Sequence, residues 1–215
     1  MLRDYGLKAT FYISPQNHEF AGSDLLTPRE IKDISCDFEI GAHTLTHRSL
    51  PTISEEEAER EVVGSKAVLE QITGKAINTF CYPRGDYTEL HVQLVMAAGY
   101  RYARTVTRYT FDINNPYKAG TSLHIYNHRF GFDLWQTARF VKFRPIKALQ
   151  CLEWWMLGRA MFDYVLEEGG IFHIWGHSWE IDKNNDWGRL EEFFRYISAH
   201  PSVKYATNGE LEACP

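Results

Sequence analysis

Strand-like and helix-like segments alternate along this chain, and that alternation constrains the fold more than any other feature, because strands separated by helices build a parallel sheet. Leu7 to Ile13 reads as a strand, and Thr27-Pro28-Arg29-Glu30 opens a helix with an N-cap, a proline at the first position and a Glu at the third. The strand Phe38–Ala42 follows. Ser54-Glu55-Glu56-Glu57 is a capping box that launches a helix with apolar positions Ala58, Val62, Ala67, Leu69 and Ile72, ending at Gly74. Next come strand Ala76–Cys81, helix Thr88–Ala98 stopped at Gly99, and strands Tyr100–Val106 and Ser122–His128. Two helices then surround Pro145, the second running from about Ile146 to Glu168 and stopping at Gly169-Gly170. Strand Ile171–Trp175, helix Leu190–Ala199 and strand Val203–Ala206 finish the chain, with no repeat, low-complexity linker or second domain.

A sheet of this kind closed as a barrel places the carboxyl end of every strand on one rim. The chemistry-bearing residues fall at those ends: His43 and His47, then Tyr82-Pro83-Arg84-Gly85-Asp86-Tyr87, then Arg104, then His177-Ser178-Trp179-Glu180.

Three His-x-x-x-His pairs occur, at 43/47, 124/128 and 173/177. Random placement of the nine histidines gives roughly 0.3 such pairs, so spacing alone is a modest signal. Geometry separates them. Along a continuous strand, positions four apart lie about 13 Å from each other, whereas nitrogens sharing one zinc must each come to about 2 Å from it. His124/His128 and His173/His177 lie in strand-like runs and read as structural. His43 and His47 straddle a strand end, where chelation is feasible.

At 215 residues and 44% hydrophobic content, the chain can bury the core of a single α/β enzyme domain. A net charge of −5 with interspersed signs offers no basic stripe for nucleic acid and no polybasic membrane patch. The aromatic-rich stretch from Phe132 to Leu166 is too often interrupted by charge to span a membrane. Cys36, Cys81, Cys151 and Cys214 are scattered without a Cys-x-x-Cys, which suits a reducing compartment, and the start lacks an apolar leader, so the chain as written reads as cytoplasmic.

Four segments together resemble the polysaccharide deacetylases, carbohydrate esterase family 4. Leu7–Ile13 is similar to the family's second strand, Glu39 to His47 to its metal-ligand motif, Phe80-Cys81-Tyr82-Pro83-Arg84-Gly85 to its proline-glycine loop, and Ile174-Trp175-Gly176-His177 to the late strand carrying its catalytic histidine. The resemblance implies an irregular (β/α) barrel of about seven strands and a hydrolase that removes acetyl groups from N-acetylated sugars. It implies a divalent metal, zinc by ligand type, on His43 and His47, acidifying a water and polarising the acetamide carbonyl. A backbone N–H of the Tyr82-Pro83-Arg84-Gly85 loop would hold the oxyanion and His177 would protonate the leaving amine. Trp179 is a candidate for lining the sugar site, as is Trp187; packing is the alternative for both. His173 reads as core, as does Trp154-Trp155.

The main departure from the family lies at the start. The family's first strand ends in two aspartates, the catalytic base and the third metal ligand, and only six residues precede Leu7 here. Asp4 is too close to the second strand to replace them, and Asp182 to Trp187, which looks like another family motif, falls after His177 and reads as a solvated turn. Cys81 stands where many members carry an arginine that orients the base; Arg84 or Arg104 is the candidate substitute, with Arg104 evenly balanced between an active-site role and surface pairing. The expectation is a domain whose first strand and helix are missing, with Met1 an internal start, metal held weakly, and self-association through an exposed barrel edge. A non-catalytic sugar-binding relative and a small-molecule amide hydrolase on the same barrel are the alternatives.

Overall fold

A computed structural model of the chain describes residues 1–126 and 153–211. His128, Cys151, Cys214 and the helices expected around Pro145, up to residue 152, lie outside the described residues. The chain forms two compact units, each built from more than one stretch of sequence.

One unit comprises Lys8–Val106, Asn114–Ala119 and Ala206–Pro215. Its strands β1 (Thr10–Ile13), β2 (Glu39–Ala42), β3 (Thr79–Cys81) and β4 (Tyr102–Arg104) form one parallel sheet in that order, with Thr10 opposite Glu39, Ala42 opposite Phe80 and Cys81 opposite Arg104. Helices α1 (Pro28–Ile34), α2 (Glu55–Thr73) and α3 (Glu89–Ala97) supply the crossovers. Sequence dictates their ends. Thr27 with Glu30 and Ser54 with Glu57 form reciprocal capping boxes, and Gly74 closes α2 at φ +70°. Ala58, Val62, Ser65 and Leu69 form the buried stripe of α2, at helical spacing, and pack with Ile31, Ile40, Phe80 and Tyr100.

The other unit comprises Met1–Leu7, Thr107–Ile113 and Gly120–Tyr205. Its short strands β5 (Leu123–His124) and β6 (Ile174–Trp175) pair in parallel, Leu123 opposite Ile174 and His124 opposite Trp175. Helices α4 (Trp154–Glu168), α5 (Ser178–Asn184) and α6 (Trp187–Ile197) pack around Trp154, Met161, Phe162 and Phe193, while α7 (Asn208–Leu211) belongs to the first unit.

The architecture is α/β with parallel sheets, and the described residues contain six strands. Three expectations need correction. Val203–Ala206 forms no strand: the Tyr205 hydroxyl donates to the Ile197 carbonyl at 2.7 Å and accepts from the His200 N–H at 3.1 Å, so a side chain rather than a ladder holds this segment. The first strand begins at Thr10 rather than Leu7, whose side chain joins the apolar core of the other unit. Asp182 to Trp187 is a solvated turn only in part: Asp182 to Asn185 are exposed and Asn185 turns at φ 52°, but Asp182–Asn184 ends α5 and Asp186 is buried, accepting from Trp154 Nε1 at 3.1 Å and pairing with Arg189 Nη1 at 2.5 Å.

Candidate functional site

The segment after β2 turns sharply because two non-glycine residues adopt left-handed backbone, Thr44 at φ 61° and His47 at φ 68°. Such conformations cost of order 1–3 kcal/mol each and persist only where surrounding contacts over-determine them. Those contacts are present. Glu61, buried on α2, accepts from the Thr46 N–H at 2.8 Å and its hydroxyl at 2.5 Å, the His43 N–H donates to the Ile13 carbonyl at 3.1 Å, and the Gln16 N–H donates to the Leu45 carbonyl at 2.9 Å.

The turn brings the His43 and His47 rings together, centroids 4.8 Å apart at an interplanar angle of 61°. His43 Nδ1 lies 2.7 Å from the Cys81 carbonyl, an acceptor, so Nδ1 carries the proton and Nε2 is the nitrogen with the lone pair. A ligand imidazole is usually anchored this way. His47 Nδ1 lies 3.0 Å from Glu19 Oε2, within ion-pair range but without hydrogen-bond alignment, which leaves a buried polar nitrogen unsatisfied. Converging imidazoles, one with Nδ1 anchored on a carbonyl and one with Nδ1 against a carboxylate, fit a divalent metal of the zinc type. The nearby carboxylate is committed elsewhere: Glu19 Oε1 accepts from Arg84 Nη2 at 2.7 Å. Desolvation pushes the Glu19 carboxyl up, but the bond from Arg84 and the neighbouring His47 outweigh it, and its pKa is lowered.

The loop after β3 is equally constrained. Tyr82 is fully buried and stacks on Tyr87 at 4.7 Å, Arg84 sits at φ 59°, and Gly85 at φ 77° has no room for a side chain, since a Cβ would stand 2.3 Å from Val106 Cγ2. The Gly85 N–H donates to the Tyr82 carbonyl at 2.9 Å and the Asp86 N–H to the Pro83 carbonyl at 3.1 Å. Pro83 has no N–H, so from Tyr82 to Asp86 it is Arg84 whose amide meets no acceptor among the described residues. The Cys81 thiol, pushed up to about 12 by burial, stays neutral.

Arg104 is buried rather than paired at the surface. Its Nε and Nη2 donate to Asn208 Oδ1 at 3.0 and 2.9 Å, Asn208 Nδ2 donates to the Tyr12 hydroxyl at 2.9 Å, and the Asn208 N–H donates to Thr10 Oγ1 at 2.9 Å. Glu39 closes the same network, accepting from Thr10 Oγ1 and from the Gly209 N–H. Burial is the largest influence on its carboxyl and pushes it up.

In the other unit, His177 is the N-cap of α5 and Glu180 its third residue, the two capping-box positions. Here the carboxylate reaches back to the imidazole, with Glu180 Oε2 2.7 Å from His177 Nδ1. The same oxygen lies 3.0 Å from His124 Nε2, and His124 stacks on its strand partner Trp175 at 4.0 Å. Burial is the largest influence on His124 and lowers its pKa. For Glu180 the burial that raises it is outweighed by the bonds from His177 and His124, and its pKa is lowered. Trp179 is 47% exposed and stacks on the His177 ring at 5.4 Å, while Trp187 Nε1 donates to Asp182 at 2.6 Å. His173 Nδ1 contacts Thr121 Oγ1 at 2.9 Å.

Sequence reasoning missed Glu19 and Glu61, and it grouped Glu180 with His177 without giving it a role. Glu180 had a local signal, the carboxylate three residues after an N-cap; Glu19 and Glu61 reach the histidine turn only through the fold.

The polysaccharide deacetylase family matches residues 1–103. No curated protein sequence matches the chain. Among solved structures, the chain is similar to a Mycobacterium smegmatis protein classed with the polysaccharide deacetylases, at 18% identity and TM-score 0.68, over 98% of this chain and 72% of that one. A Streptococcus pyogenes deacetylase solved in complex with acetate matches at 21% identity and TM-score 0.53, over 56% of this chain and 54% of that one, so the match spans about half of that relative. A pseudoenzyme of carbohydrate esterase family 4 from Bacillus anthracis matches at 14% identity and TM-score 0.53, over 98% of this chain and 57% of that one. These likenesses establish an α/β fold similar to that of the family's deacetylases.

Proposed function

From the match of residues 1–103 to the polysaccharide deacetylase family, we propose that this chain is of the metal-dependent hydrolase type that removes N-acetyl groups from an N-acetylated sugar polymer or oligosaccharide. The observation that carries the reading is the convergence of His43 and His47 on a turn whose strain is held by Glu61, with His43 Nδ1 anchored on the Cys81 carbonyl. His43 and His47 would hold the metal. A divalent cation on such nitrogens supplies positive charge that polarises an amide carbonyl and acidifies water.

The chain's own residues then have separable tasks. The Arg84 N–H, the uncommitted amide of the Tyr82–Gly85 loop, is the donor for a developing oxyanion. Arg84's side chain holds Glu19 beside His47. His177 is the general acid: with Nδ1 occupied by Glu180, its proton transfer falls to Nε2. Trp179, exposed and stacked on His177, offers an apolar face to a sugar ring.

One observation favours a second reading, a sugar-binding relative without turnover. The carboxylate beside His47 is bonded to Arg84 and so is poorly placed to take a proton from water, and the similar fold of a pseudoenzyme means the architecture alone does not guarantee catalysis. Acetate release from N-acetylated oligosaccharides, measured with zinc supplied, separates the two. Release that falls by about 10²–10⁴-fold in His177→Ala is expected for the hydrolase. Binding of the same oligosaccharides without acetate would replace it with the second reading.

A further inference from the structure

His124 and His177 belong to different His-x-x-x-His pairs in the sequence, yet the fold gathers one member of each around a single carboxylate. The parallel pairing of β5 and β6 sets His124 opposite Trp175, and the chain leaving β6 reaches His177 two residues later. The first turn of α5 then returns Glu180 to both imidazoles. One donor atom from each of the three residues lies within 4.8 Å of the others.

We propose that His124, His177 and Glu180 form a second divalent transition-metal site, sharing no residue with the His43/His47 pair. Two imidazoles and one carboxylate are a donor set that zinc accepts with its fourth position open, at bond lengths of about 2.0–2.2 Å, which places neighbouring donors about 3.4 Å apart. The two nitrogen–oxygen distances of 2.7 and 3.0 Å open by about half an ångström to reach that geometry, while the widest separation, within 4.8 Å, closes. Small side-chain rotations suffice for both.

Burial and walls favour the site. The side chains of His124 and Glu180 are 11% and 9% exposed, so a cation there is shielded from competing water, and the 43% exposure of His177 leaves an entry path. Trp175 stacked on His124 and Trp179 stacked on His177 hold both rings and line the site with apolar surface. Such surroundings strengthen the attraction between a cation and the Glu180 carboxylate. Two neutral imidazoles and one carboxylate leave a net negative charge for the ion to neutralise. Metal bound here engages the same His177 nitrogen that Glu180 holds in the metal-free form, so ligation at the triad and proton transfer assisted by Glu180 are alternative states of one side chain.

The test uses the full chain stripped of metal and titrated with zinc alone by calorimetry. In a His43→Ala/His47→Ala background, which removes the pair on which the proposed hydrolase reading rests, one zinc per chain should still bind. Adding Glu180→Gln or, separately, His124→Gln should weaken that binding by at least about 100-fold, the upper range seen for merely supporting groups around a metal. Cobalt(II) added to the His43→Ala/His47→Ala protein gives a spectroscopic check, because a low-coordinate nitrogen–oxygen site should develop strong visible absorption that adding Glu180→Gln removes. Absence of binding in the His43→Ala/His47→Ala protein with its circular dichroism unchanged would overturn the proposal. So would zinc affinity and cobalt absorption that survive Glu180→Gln. Loss of acetate release alone would bear on the hydrolase reading and leave the triad standing.

Discussion

Removing the Glu61 carboxylate should cost both stability and the geometry of the histidine turn. Glu61 is 7% exposed and makes two contacts with Thr46, 2.8 Å from its N–H and 2.5 Å from its hydroxyl. A hydrogen bond to a charged group contributes about 1.5–3 kcal/mol. Thr46 is only half-buried, so water can partly replace the lost acceptor and each bond falls near the lower bound. Glu61→Ala should therefore destabilise the protein by about 3 kcal/mol, and Glu61→Gln, which keeps one acceptor and turns a donor toward Thr46, by about half as much. The left-handed residues Thr44 and His47 flank Thr46, and without Glu61 the turn is restrained only by the bonds of His43 to the Ile13 and Cys81 carbonyls and of Gln16 to the Leu45 carbonyl, so its His47 side is free to relax. Relaxation separates the imidazoles, so zinc affinity at His43/His47 should fall by about 10–100-fold, the range for groups that orient a ligand. Urea unfolding gives the first quantity. Zinc titration in a Glu180→Gln background gives the second. A Glu61→Ala protein that unfolds at the unsubstituted midpoint, or binds zinc at His43/His47 as before, would refute the reasoning.

Two further outcomes follow from the same unit. Gly85→Ala should destabilise by more than 1 kcal/mol and disorder the Arg84 amide, since φ 77° strains any side chain and the new Cβ would stand 2.3 Å from Val106 Cγ2; thermal unfolding that matches the unsubstituted protein would contradict this. Burial raises the Glu39 carboxyl, so its contribution is fully present below the ordinary Glu pKa and is lost as pH rises through the raised folded value. Glu39→Gln should accordingly lack that loss, and its stability relative to the unsubstituted protein should increase with pH across that window; a difference independent of pH would exclude the coupling.

The legible part of the site was local. A strand ending in small residues, followed by two histidines four apart, needed only a tight turn to bring the rings together, and the turn is present at Thr44 and His47. Helix ends were legible for the same reason, since Ser54–Glu57 and Thr27–Glu30 satisfy orphan amides within four residues. Glu61, fifteen residues from Thr46, and Arg84, sixty-five from Glu19, act through contacts that no local pattern announces. Strand ends were read too generously because β-branched and aromatic residues favour strands without specifying a partner. Val203 and Tyr205 lack a ladder, and the Tyr205 hydroxyl bonds the preceding loop instead.

The histidine pairs carry the sharper lesson. Spacing groups residues along one segment, whereas a parallel sheet groups residues at matching register on different segments. His124 closes its own short strand, and His173 Nδ1 contacts Thr121. Register joins what spacing separates. Once Leu123 pairs with Ile174, His124 must face Trp175, and the turn after β6 presents His177 and then Glu180 to it. Arg104 shows the converse at the end of β4. Its register places it beside Cys81, and its guanidinium is buried with two of its nitrogens bonded to Asn208, not paired at the surface. A buried guanidinium stays charged and must be partnered, so the fold uses Arg104 to tie α7 to the sheet through Asn208, Tyr12 and Thr10.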